Sequence, residues 1–117
     1  MISQDVLTLL TQIPDTVAGK SIKVSRYPEM AEGIPDDILE IHEVFPEDEL
    51  EVIAERFQPY LGEYGVVPFL CTLGDNVAAI GVEPTNWGRI YYYDSDFGIF
   101  ELDSSLEEFL AGLQIAV

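Results

Sequence analysis

Apolar residues recur along this chain with two periods, and the switch between them predicts its elements. Near the start, Val6, Leu7, Leu10 and Ile13 follow helical spacing behind Ser3, which can cap the first turn, and Pro14 and the Gly19 region close the helix. Ile22 and Val24 then alternate with Lys23 and Ser25 as a strand, and Pro28, Gly33 and Pro35 predict a loop. From Asp36 to Phe45 the pattern serves two templates, because Leu39 and Ile41 alternate while Ile38, Ile41 and Phe45 fit a helix; we read a strand after a short turn. At Pro46 the signal clears. Proline opens a helix, Glu47, Asp48 and Glu49 complement its dipole, and Leu50, Ile53, Phe57 and Leu61 line one face.

After Gly65 the period falls to two. Four strands are predicted, Val66 to Leu73, Asn76 to Glu83, Gly88 to Tyr93 and Phe97 to Leu102. Their connections, Gly74-Asp75, Pro84-Thr85-Asn86 and Asp94-Ser95-Asp96, are too short for parallel crossovers, so the strands form an antiparallel meander. A closing helix starts at Asp103 or Ser104, with Ser104 and Glu107 spaced as a capping box and Leu106, Phe109, Leu110 and Leu113 as its apolar stripe. That stripe needs an apolar partner, which the meander supplies. The predicted class is α+β: a single domain over residues 1–117, its antiparallel meander packed by N-terminal, central and C-terminal helices.

Composition narrows the functional classes. Hydrophobic residues make up 48% of the chain, enough for a folded core and too many for a disordered acidic tail. The single cysteine, Cys71, cannot form an intramolecular disulfide, and the start has neither the basic opening nor the apolar core of a secretory signal, so the cytoplasm is the expected compartment. No apolar run approaches the roughly 18 residues of a membrane helix. With 5 basic and 22 acidic residues the net charge is −17, which disfavours direct contact with nucleic acid or an anionic membrane and favours a basic partner. The expected assembly is a monomer or weak homodimer.

Candidate chemistry is sparse. Asp94 and Asp96 offer two carboxylates at a hairpin, fewer oxygens than a cation site needs, and Asp-Ser-Asp is ordinary turn composition. His42 is the only histidine, and Cys71 sits in the apolar run Phe69-Leu70-Cys71 without a flanking cation to lower its pKa. No catalytic, cofactor or metal residues are expected, and the protein is not read as an enzyme. Trp87 and the run Tyr91 to Tyr93 form an aromatic segment; on a strand Tyr91 and Tyr93 share one face while Tyr92 joins Ile90 on the other, dividing the rings between rim and core. The expected partner-binding residues are the helix carboxylates Glu47, Asp48, Glu51 and Glu55, the anchor Trp87, and the turn residues Asp94 and Asp96.

Three runs carry a resemblance: VVPFLCTLGDNVAAIGVEP from Val66, GRIYYYDSDFGIF from Gly88, and DSSLEEFLAGL from Asp103. Together, over about half the chain, they resemble the SUKH superfamily, with its strand pair ending in an acidic turn and its capped Leu/Phe helix. The resemblance implies an α+β fold without catalytic residues. It also implies a bacterial immunity protein of a polymorphic toxin system, which binds and neutralises a cognate toxin, often a nuclease; occlusion of the toxin is the mode we expect. A regulatory protein-interaction domain of the same superfamily is the alternative. An acidic DNA mimic is a further one, although the even scatter of carboxylates does not reproduce the spacing of phosphates.

Overall fold

The computed structural model describes residues 2–74 and 76–115. Helix α1 (Gln4–Leu10) is capped as the sequence predicts, by Ser3, whose hydroxyl accepts a hydrogen bond from the Val6 N–H. Strand β1 (Ser21–Lys23) is shorter than its alternation suggested, because Val24–Arg26 tightens into a 3₁₀ turn. The predicted loop across Pro28 and Gly33 is instead helix α2 (Pro28–Gly33), with proline at its first turn, Glu29 at its positive end and Met30 fully buried. Residues read as loop punctuation are here the start and stop signals of a short helix.

Strand β2 (Ile38–Val44) resolves the ambiguous run as a strand. Glu47–Glu49 forms a 3₁₀ turn and feeds α3 (Leu50–Leu61), which buries Leu50, Ile53, Phe57 and Leu61 along the expected stripe. Gly65, at φ +62°, reverses the chain into β3 (Val66–Thr72). The meander continues through β4 (Val77–Gly81), β5 (Ile90–Asp94) and β6 (Gly98–Glu101). Asp75, in the predicted Gly74-Asp75 connection, lies outside the described residues. All neighbours pair antiparallel in the order β1-β2-β3-β4-β5-β6. The β3–β4 register slips between Pro68 and Leu70, where proline has no N–H to offer the ladder.

Helix α4 (Leu106–Ala111) begins one residue later than the capping box predicted. Ser105, not Ser104, is the N-cap; its hydroxyl accepts from the Glu108 N–H at 3.1 Å, and both serine hydroxyls donate to the Glu108 carboxylate. Leu106 and Phe109 are buried, and Phe109 meets Phe69 edge to face at 6.0 Å.

The sheet separates two cores. The larger gathers Leu70, Ala78, Ile80, Ile90 and Tyr92 with residues of α1, α2 and α4. The smaller lies under α3, where Ile53, Phe57 and Leu61 cover Val77. A polar latch fastens the larger core: the buried Asp103 carboxylate accepts from the Tyr27 hydroxyl at 2.5 Å and from the Arg26 guanidinium at 3.1 Å. Burial, reinforced by the neighbouring carboxylate, raises the Tyr27 pKa and keeps its phenol protonated as a donor. The structure is therefore one α+β domain with its helices on both faces of a curled antiparallel sheet.

Candidate interaction surface

Strand β5 divides its tyrosines as alternation predicts. Tyr92 is fully buried in the larger core, where its hydroxyl lies 2.7 Å from the Thr72 hydroxyl and burial pushes its pKa up to about 12. Tyr91 and Tyr93 face the α3 side and are half-buried. The register sets Tyr91 opposite Glu101 and Tyr93 opposite Ile99, so this face continues onto β6.

Helix α3 shields only part of it. Phe57 meets Tyr93 edge to face at 6.2 Å, and Tyr60 stacks on Tyr93 at 5.9 Å with an interplanar angle of 27°. Tyr60 nevertheless keeps 58% of its surface exposed. Partial burial, with Tyr60 and Asp94 nearby, raises the Tyr93 pKa and keeps its phenol neutral, an amphipathic surface of the kind that anchors interfaces. Arg56, Phe57, Tyr60, Tyr93 and Ser95 line an open cavity of about 460 Å³ here. Neither of the two ion pairs among the described residues involves Arg56. At the far end, Arg89 pairs with Glu101 at 3.1 Å; both are about half exposed, so the pair contributes at most about 1 kcal/mol.

The residues predicted to bind a partner are dispersed. Glu51 and Glu55 lie along α3 on the side facing Ile2, and the Glu51 carboxylate accepts from the Ile2 N–H at 2.9 Å. Glu47 and Asp48 are exposed in the turn before α3. Asp94 is buried at the β5–β6 turn, where its carboxylate accepts from the N–H groups of Asp96 and Phe97 and from the Asn76 amide, while Asp96 is exposed. The aspartate pair thus builds a turn, and among the described residues no group of three or more potential ligands is placed to hold a metal ion.

Trp87, 46% exposed, is at the other end of β5. Five strand residues span roughly 17 Å, so Trp87 and Asp96 do not share one patch. Trp87 is held there by a residue the sequence reading did not select. Asn86 accepts from the Glu83 N–H at 2.9 Å and donates to the Tyr64 carbonyl at 2.9 Å, tying this loop to the end of α3. Gly81 makes the approach possible, because a Cβ there would lie 2.1 Å from the Asn86 carbonyl oxygen. The Glu-Pro-Thr-Asn turn composition was the available signal for Asn86; for Tyr60 it was helical spacing, three residues after Phe57 and seven after Ile53, on the flank of the apolar stripe.

His42 is exposed on β2. Cys71 is half-buried in the smaller core, where burial, and secondarily Glu43, raises its thiol pKa, the reverse of what an activated nucleophile needs.

The fold and this face define a small, strongly acidic α+β protein whose meander is sealed on one side and leaves an aromatic strip half-covered on the other. The chain belongs to the RhsPI family, the Rhs-associated immunity proteins, whose family model matches residues 16–114. That family bears out the toxin-immunity part of the SUKH resemblance. No curated protein matches the chain.

Proposed function

We propose that this protein is a cytoplasmic immunity protein that binds the toxin domain of its cognate Rhs protein and neutralises it by occlusion, without catalysis of its own. Membership of the RhsPI family carries the reading. The partly open strip of Tyr60, Tyr91, Tyr93 and Ile99 supports it, since rigid aromatic groups on a sheet are suited to holding a protein surface. The charge of −17 would steer a basic toxin into contact and make association slow with added salt. The meander leading into a capped Leu/Phe helix is also the feature that favours a SUKH relationship.

The test is co-expression with the C-terminal toxin domain of a candidate cognate Rhs protein, sought first in the neighbouring genes. Survival of cells making both proteins, with a stable complex on purification, is the expected result. Continued killing, with no complex formed by the purified pair, would sink the proposal.

A further inference from the structure

The two edges of the sheet are finished differently. At β1, Ser21 and Gln114 exchange both main-chain hydrogen bonds, at 2.8 and 2.9 Å, so residues following α4 cover that edge. At β6 no described segment does so. The Leu102 N–H donates to the Ile90 carbonyl at 2.7 Å, and Phe100 stands opposite Tyr92. By the alternation of an antiparallel ladder, Phe100 therefore turns its main-chain groups toward β5, while Ile99 and Glu101 turn theirs outward. No turn, loop or side-chain hydrogen bond among the described residues reaches those outward groups. The edge is four residues long with one charge, Glu101, and carries neither proline nor lysine, two of the devices that discourage strand addition.

The surroundings fit an added strand. On one side the α3-facing strip of Tyr91, Tyr93 and Ile99 continues to the edge. Beside Glu101 and Leu102, between them and the start of α2, lies an open cavity of about 620 Å³ also lined by Pro28 and Glu29. Asp103 in that cavity is already bonded by Tyr27 and Arg26, and Glu101 by Arg89, which leaves Glu29 to receive a cation.

We infer that the toxin docks by adding an extended basic segment to the open edge of β6, continuing the sheet between protein and partner. The inference rests on the immunity reading above. A second copy of this chain is the poorer occupant: antiparallel self-pairing centred on Phe100 would set Ile99 opposite Glu101 and bring together two molecules of charge −17. A segment alternating apolar residues with lysine or arginine matches both the strip and Glu29.

The test is amide hydrogen exchange of the free protein and of its complex with the toxin domain, read at Ile99 and Glu101. Slowed exchange at both amides on binding is expected. A matched pair of variants reads the same contact. Glu101→Pro removes an outward N–H that the sheet does not use and should bind roughly tenfold more weakly than Glu101→Ala, which loses the same carboxylate but keeps the N–H, the difference being one main-chain hydrogen bond. A complex in which both amides exchange as in the free protein, or equal binding by the two variants, overturns strand addition and leaves the immunity reading intact. Failure of the wild-type proteins to form any complex removes both.

Discussion

The two faces of the sheet are built from the same residue types and finished to different ends. On the larger-core side, Tyr92, Phe69 and Phe109 are almost fully enclosed, and even the polar groups of Tyr27, Arg26 and Asp103 are matched to one another. On the α3 side, Tyr93 has aromatic neighbours on two sides, yet Tyr60 and Tyr91 retain contact with solvent. Closed packing fixes the fold, and the incompletely covered face leaves apolar area available to a partner. The contrast lies in what covers the strands, not in the strands themselves.

The hardest test of this contrast is Phe109→Ala. It removes a fully buried ring from the closed face and should cost about 3–5 kcal/mol of unfolding free energy in a denaturant titration. A loss below about 1 kcal/mol would show that the larger core is not the tightly packed side. Alkaline pH probes the same face. Burial lifts the Tyr92 phenol from its ordinary pKa of 10.0 to about 12 in the folded chain, so its neutral form adds stability in full below pH 10 that is lost as pH rises towards 12. The loss is on the order of 2 kcal/mol, and a Tyr92→Phe variant should show a shallower decline over that window.

The open face should respond in the opposite sense. Tyr93→Ala should weaken toxin binding by roughly 2 kcal/mol, about thirtyfold, while a Tyr60–Tyr93 double-mutant cycle on stability should return a coupling of only about 0.5–1.5 kcal/mol. Unchanged affinity in a calorimetric titration would move the interface away from this strip. At the small end, Val52→Ala, on a residue 60% exposed on α3, should leave stability within about 0.5 kcal/mol of wild type.

The meander was legible because its alternation and its short polar connections speak together, and β3 to β6 fall where those signals place them. Helix α2 was hidden because Pro28 and Gly33 punctuate a short helix as readily as a loop. The capping serine was ambiguous because Ser104 and Ser105 each have a glutamate three residues on, and only packing decides which one opens the helix. Alternation separated Tyr92 from its neighbours, since that assignment is local to one strand. The strip was not legible, because Tyr60 and Tyr93 meet only once α3 has crossed the sheet. The predicted carboxylates, chosen by closeness in sequence and by charge, are set on separate sides and ends of the folded chain.

The pairing of Ser21 with Gln114 also has a consequence for synthesis. Strand β1 emerges from the ribosome long before its outer partner exists, and at elongation rates of about 5–20 residues per second the interval is roughly 5–20 seconds. Until Gln114 is made, Ser21 lacks its outer main-chain partner, and the outer side of β1 is open. Synthesis of the segment that follows α4 thus covers an edge at which a strand could otherwise add.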